Sequence, residues 1–329
     1  MWREIKRILQ KHDHFLVTTH VNPDGDGVGA ACALTELLLH RGKHVRFVCD
    51  SPVPNKLRFL DYHGLHEQFD PHSDYSEVEV VIVLDANRRE RVGGVGAILD
   101  RPGVISICID HHQITNCFAD VSAIDPRACS VGAMIYTLCK EFGFDINRQA
   151  AYGIYTSILC DTGRFSYSST TRKAHKIADE CIKLGVDPDQ MYDQLFQQLT
   201  VSQLQIFSRA LQGMELHLGN RVLVQVLRLE ECRAIGIDAP ELENLDLEYI
   251  LEFDKSVGDI ECVALLREVG HDKVRISLRA TADLDLTSLT HTLGGGGHPK
   301  AAGALVMGSI EEVKRKLLEG LEAVLAQPI

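Results

Sequence analysis

The sequence predicts an α/β protein in two parts: an N-terminal domain on a parallel sheet with helices on both faces, then a smaller C-terminal α/β domain with a mixed sheet. Three observations carry this. Short, apolar, β-rich runs alternate with stretches of helical period, the signature of βαβ units. Those runs are nearly continuous in hydrophobicity, as in a sheet covered on both faces. After Gly219-Asn220 the character changes, and strands dominate.

Each element follows in turn. Trp2, Ile5, Ile8 and Leu9 recur at helical spacing, so the chain opens on a helix. Phe15-Leu16-Val17-Thr18-Thr19-His20 reads as a buried strand ending at His20, and Gly29 to His40 as a helix packed on it. His44 to Cys49 is a second strand. Val78 to Leu84 is a third, ending at Asp85, and Val104 to Ile109 a fourth, ending at Asp110. Cys129 to about Leu184 is helical and includes Asp161. Gly185-Val186-Asp187-Pro188 breaks that pattern, and Asp189 to Leu216 reads as a long helical connector. Beyond it, Val222 to Leu227, Ile260 to Leu266 and Lys273 to Leu278 read as strands, with helices near Glu241 to Phe253 and at Ile310 to Leu325. The expected divisions are 1–186, a connector over 187–218, and 219–329.

Composition narrows the function classes. Of 329 residues, 45% are hydrophobic, enough for a sizeable core, and the net charge is −12. That balance argues against a protein that coats duplex DNA, which needs a broad basic face. A nucleotide substrate remains compatible, because a local cluster of metals and Arg can bind phosphate on an acidic body. Ten cysteines form no Cys-x-x-Cys pair, and Met1 to Gln10 lacks the apolar stretch of a signal peptide. No apolar run approaches the ~20 residues that span a bilayer. The expectation is a cytoplasmic protein with reduced cysteines and no membrane partner.

Chemistry concentrates at the strand ends, where open parallel sheets bind ligands. His20-Val21-Asn22-Pro23-Asp24-Gly25-Asp26 packs one imidazole and two carboxylates into a turn, which Gly25 lets bend tightly. The bland alternative is a solvated turn with Asp24 or Asp26 as a helix N-cap. Asp85 and Asp110-His111-His112 end further strands, and adjacent histidines point apart, so one can ligate while the other faces a substrate. With Asp161 the set has too many ligands for one octahedral ion that must also hold water. Two ions sharing a carboxylate fit better, and imidazole plus carboxylate without thiolate suits Mn²⁺ or Mg²⁺. Such a pair activates water for in-line displacement at phosphorus.

These motifs resemble the DHH phosphoesterase family, named for the triplet seen here as Asp110-His111-His112. The stretch from His20 to Ala30 resembles the family's metal-binding turn. Val83 to Asn87, Ile109 to Asn116 and Ser157 to Thr171 resemble its further motifs, in order. Gly294 to Gly303 (GGGGHPKAAG) looks like the signature of the family's associated C-terminal domain. Chain length and domain pair look most like the nanoRNase type. The resemblance implies two divalent ions, Mn²⁺ first with Mg²⁺ or Co²⁺ possible: one on His20, Asp24 and Asp85, the other on Asp26, Asp85, His111 and Asp161. It implies that Asp110 orients an imidazole and that His112 faces the phosphate and helps protonate the leaving oxygen.

The C-terminal candidates follow the same way. Consecutive glycines let backbone N–H groups approach a phosphate, so Gly295, Gly296 and Gly297 with His298 are candidate phosphate contacts, against the alternative of a flexible loop. Arg279 ends a strand whose Ser-Leu-Arg pattern contacts substrate in the family, although Ala280 stands where Ser is often found. Arg91 and Asn116 are weaker candidates: Arg91 could belong to a charged helix face, and Asn116 could shape its turn. Phe165 and Tyr167 could stack a base or pack as a strand edge, and His12, His14, His63, His66 and His72 have no motif context. The resemblance implies hydrolysis of short RNA, and of phosphoadenosine phosphate, in a cleft between the domains. Linear or cyclic dinucleotides as substrates, and a non-catalytic nucleotide-binding protein, are the alternatives. Oligomeric state, base preference and polarity are not legible.

Overall fold

The computed structural model describes residues 1–86, 88–112, 118–245, 247–282 and 284–326, apart from the side chains of Asn244 and His298. The chain divides into two compact units, Met1–Gln198 and Leu199–Ile329.

In the first unit, strands β1 (His14–Thr18), β2 (His44–Cys49), β3 (His66–Gln68), β4 (Val80–Leu84), β5 (Ile105–Asp110) and β6 (Val121–Ile124) form one sheet in the order β3-β2-β1-β4-β5-β6. All its pairings are parallel, with Phe15 opposite both Val45 and Val80. Helices α1 (Arg3–Lys11), α2 (Gly25–His40), α3 (Gly96–Leu99), α4 (Val131–Glu141), α5 (Arg148–Asp161), α6 (Arg172–Lys183) and α7 (Pro188–Phe196) complete it. Alternate side chains of β4 enter opposite cores. Val80, Ile82 and Leu84 meet Leu34, Ile135 and Ile154, while Val81 and Val83 meet Val48, Val92 and Ile98. Both faces are therefore covered, which is why the strands carry no polar alternation. The chain builds outward from β1 to β3, then returns to start β4 on the other side of β1. That reversal opens a crevice beyond the carboxyl ends of β1 and β4. His20 follows β1 and Asp85 follows β4 directly.

In the second unit, β7 (Glu215–His217), β8 (Val222–Leu227), β9 (Cys262–Gly270), β10 (Lys273–Ala280), β11 (Gly296–His298) and β12 (Ala301–Met307) form a mixed sheet in the order β11-β12-β10-β9-β8-β7. Only β8 and β9 run parallel. One face packs on α12 (Thr287–Thr292) and α13 (Ile310–Leu325), burying Val274, Ile276, Leu278 and Leu317. The other packs on α8 (Val201–Gln212), α9 (Leu229–Arg233), α10 (Ala239–Asn244) and α11 (Glu248–Asp254), burying Leu223, Val263 and Leu265.

Several elements differ from the sequence expectation. The stretch Asp189–Leu216 is two helices, α7 and α8, with its end in β7, and Glu241–Phe253 is split between α10 and α11. Helix α2 starts at Gly25 rather than Gly29. The glycine run is not a flexible loop: Gly296–His298 pairs antiparallel with Ala301–Ala302-Gly303. Small, weakly β-forming residues concealed that hairpin, and β3 (His-Glu-Gln) concealed itself by being short and polar.

Candidate metal centre

Local folding fixes each donor. Asp24 is the N-cap of α2: its Oδ1 accepts from the Asp26 and Gly27 amides at 3.0 and 3.1 Å, a bond worth about 1 kcal/mol to a helix. Its Oδ2 is left facing His20 Nε2 at 3.6 Å. The N-cap reading and the ligand reading of Asp24 are thus compatible, one oxygen for each. His20 directs Nδ1 to the Val21 carbonyl at 2.8 Å, and this orients Nε2 toward the carboxylates. His111 does the same through Nδ1 and the Ala128 carbonyl at 3.1 Å.

Asp85 stands between the two imidazoles. Its Oδ2 lies 3.5 Å from His20 Nε2 and its Oδ1 3.8 Å from His111 Nε2. The residue holds φ at 56°, a left-handed backbone that non-glycine residues seldom adopt and that clusters at functional sites. His111 Nε2 also faces Asp26 Oδ2 at 3.5 Å and Asp161 Oδ2 at 3.2 Å. Donor atoms of His20, Asp24 and Asp85 lie within 4.8 Å of one another, as do those of Asp26, His111 and Asp161.

Asp26 is buried and heavily hydrogen-bonded. It accepts from the Val131 amide at 2.9 Å, the Gly132 amide at 3.2 Å and the Ser157 hydroxyl. The two amides open α4, whose positive end favours an anion there. Ser130 caps that helix, and Ser157 binds both the Gly132 amide and Ser130. Ser157 was absent from the sequence candidates, and nothing local in the sequence marks it; Ser130 had the weak signal of a cap residue before a helical run. Asp110, wholly buried, accepts from both the backbone amide and Nδ1 of His112 through one oxygen, each at 2.8 Å.

The electrostatics favour a cation. Burial and the charges of Asp85, Asp161 and Asp24 push Asp26 well above the carboxylate range. Burial, aided by Asp85 and Asp24, lifts Asp161 to about 7. Burial opposes the charged form of His20, but Asp24 and Asp85 outweigh it and raise the imidazole to about 10. Asp110 and Asp85 raise His112 to about 10. Burial would raise Asp85, yet His112 and His20 hold it well below the usual range. Left to itself, the cluster must recruit protons to balance its carboxylates. His111 Nε2 is buried without a hydrogen-bond partner among the described residues, and Asp85 Oδ1 has only an off-angle ion-pair contact with His112 Nδ1 at 3.3 Å besides. Such atoms are costly unless something fills the gap between them. The donor set therefore fits divalent metal.

Other candidates lie elsewhere. The Arg91 carbonyl accepts from the Val21 amide at 2.6 Å, tying its turn to that of His20, while its Nη1 is buried without a partner among the described residues. Arg91 is therefore not on a solvated helix face; Arg89 takes the surface pairing, to Asp100. Asn116 and the His298 side chain lie outside the described residues. Phe165 stacks on His175 at 5.1 Å and packs on the core.

In the second unit, Arg279 lines a cavity of about 440 Å³ with Arg275, Ser277, Gly295, Gly296 and Gly303. Its guanidinium is bidentate on Glu248, with Nε 2.7 Å from Oε1. Glu248 had no sequence signal. A Cβ on Gly295 would strike the Gly303 carbonyl at 2.1 Å, whereas above Gly296 there is open space. Packing requires the first glycine and leaves the second free to admit a ligand.

Two family models match the chain: the DHH family N-terminal domain over residues 14–160 and the DHHA1 domain over 220–327. The chain is 30% identical over 325 residues to a protein named bifunctional oligoribonuclease and PAP phosphatase NrnA from Bacillus subtilis, covering 97% of each. The chain belongs to the DHH/DHHA1 phosphoesterase family. A protein of the same name from Thermus thermophilus is 28% identical over 313 residues, 94% of this chain and 90% of that one. A crystal structure of an exopolyphosphatase-related protein from Bacteroides fragilis shares the fold, with TM-score 0.89 at 24% identity over 97% of this chain and 95% of that one. As a DHH-family phosphoesterase the chain is a metal-dependent enzyme, and its divalent-metal site is the His/Asp cluster beyond β1, β4 and β5. Among the described residues no helix is long and apolar enough to cross a membrane.

Proposed function

We propose that this phosphoesterase hydrolyses short oligoribonucleotides, and also 3′-phosphoadenosine 5′-phosphate, using two Mn²⁺ ions. The observation that carries the two-ion reading is the division of Asp85: one oxygen toward His20, the other toward His111. One ion would be held by His20, Asp24 and Asp85, the other by Asp26, Asp85, His111 and Asp161. Oxygen and imidazole donors without thiolate suit Mn²⁺. The substrate reading rests on the two proteins named NrnA, which match through both domains over nearly their whole length.

Bound ions of this kind polarise a phosphoryl group and lower the pKa of water. The remaining work falls to the chain. Asp110 fixes the tautomer of His112 by accepting from Nδ1, so that the proton available for transfer is on Nε2. His112 donates that proton to the leaving oxygen. In the second unit Arg279, oriented by Glu248, holds a phosphate of the substrate together with the amides around Gly296 and the imidazole of His298. Arg91 and Asn116 supply further phosphate contacts. The amide and guanidinium donors are neutral or positive, and this local sign offsets a net charge of −12.

The test is a panel incubated with pure enzyme and Mn²⁺: pApA, an RNA pentamer, phosphoadenosine phosphate, cyclic di-AMP and pyrophosphate. The expected order places the two RNAs and phosphoadenosine phosphate well above cyclic di-AMP and pyrophosphate. Preference for cyclic di-AMP would replace this reading with a dinucleotide phosphodiesterase, and no turnover on any would leave a binding protein. His298→Ala should weaken nucleotide binding with metal content intact.

A further inference from the structure

The Arg279 pocket belongs to a larger surface. Helices α9 to α11 cover β8 and β9, through Leu223, Leu227, Val263 and Leu265, and among the described residues no apolar side chain of β10 or β12 on that face joins their core. Arg275, Ser277 and Arg279 alternate along β10 on the uncovered half, and burial confirms the alternation, with Val274, Ile276 and Leu278 turned to the opposite core. Opposite them on β12 stand Leu305, Gly303 and Ala301. The result is a platform with a low floor at Ser277 and Gly303 and a cation at each end.

The two cations differ. Arg279 is committed to Glu248. Arg275 is exposed, makes a 3.3 Å hydrogen bond to the Glu243 carbonyl, and has no ion-paired carboxylate among the described residues. The nearby Glu243 carboxylate is taken by Lys273, at 2.9 Å. Leu305, directly across from Arg275, is 45% exposed. An uncommitted guanidinium beside an exposed apolar side chain, on an open sheet, is the chemistry that receives a nucleotide of a single strand: phosphate on the cation, base on the apolar group. Four residues of strand separate the two arginines by about 13 Å. That is more than one phosphate step, so a dinucleotide with a phosphate at Arg279 does not reach Arg275.

We propose that Arg275 and Leu305 form an additional nucleotide subsite, engaging oligoribonucleotides longer than a dinucleotide. It rests on the oligoribonuclease reading above. The site selects among RNA substrates by length: occupancy of Arg275 raises affinity for longer strands without touching the reacting phosphate.

The experiment compares kcat/KM on pApA and on an RNA pentamer, with Mn²⁺, for the wild type, Arg275→Ala and Leu305→Ala. Arg275→Ala should lower the pentamer-to-dimer ratio at least fivefold, through KM. It should also flatten the salt dependence of pentamer KM by about 0.7 in log–log slope, the signature of one lost phosphate contact on a single strand. Leu305→Ala should lower the ratio by a smaller factor and leave the slope unchanged. An unchanged ratio in a wild type that cleaves both RNAs overturns the subsite alone. A wild type that cleaves neither RNA overturns the substrate reading, and the subsite with it. An Arg275→Ala protein with the same ratio but lower overall activity would mean the residue is structural, again against the proposal.

Discussion

The metal cluster and the β10–β12 platform handle charge in opposite ways. In the cluster five of the six candidate donors are pinned: Asp24 by the α2 amides, Asp26 by the start of α4 and Ser157, the His20 and His111 imidazoles by carbonyls, and Asp85 by a left-handed backbone. On the platform Arg279 is held by one half-exposed carboxylate and Arg275 by none. Chemistry at phosphorus needs charges whose positions are settled before substrate arrives. Recognition of a chain of variable length tolerates side chains that settle on arrival. The cluster stores its cost as buried charge, and the platform leaves its cost to the moment of binding.

The contrast can be broken most directly at Asp85. Asp85→Asn should lower kcat at least ~10³-fold and strip bound metal, because it disturbs both halves of the cluster at once. Near-normal turnover with full metal content would end the shared-ligand reading. Asp110→Asn should cost kcat ~10²-fold while metal content holds, as expected for loss of an oriented proton donor. Metal loss in that variant would make Asp110 a ligand instead. Ser157→Ala should weaken Mn²⁺ binding ~10–100-fold by loosening Asp26, measured by titration calorimetry.

Acidity separates the two regions as well. In metal-free protein, Asp26 and Asp161 keep protons that the unfolded chain has released by about pH 4, so their burial costs stability increasingly as pH rises toward 7. His20 and His112, raised to about 10, contribute stability in full below pH 6.5 and lose it as pH climbs through 10. Both signs agree. Melting in EDTA should occur at lower temperature at pH 8.5 than at pH 5.5, and Mn²⁺ should restore most at the higher pH, since its ligands must be deprotonated. A metal-free protein that gains stability with pH would contradict the cluster's electrostatics. The smallest effect is expected on the platform: Glu248→Gln should raise KM no more than about fivefold with kcat unchanged, the range of a half-exposed ion pair.

The sequence by itself determined the parallel sheet, the strand ends on which His20, Asp85 and Asp110 fall, and the alternation of helices and strands. It could do so because a buried parallel strand must be apolar throughout, and that is a local property. The candidate metal donors were legible as a group for a related reason: imidazole and carboxylate at several strand ends have few other uses together. Tertiary structure alone decided which oxygen of Asp85 faces which histidine, that Asp24 both caps and points inward, and that Ser157 holds Asp26 from 131 residues away. It also decided that the glycine run is an edge hairpin and that Arg275 shares a face with Arg279. Those facts depend on strand register and on contacts remote in the chain, and a residue's neighbours in sequence carry no record of either.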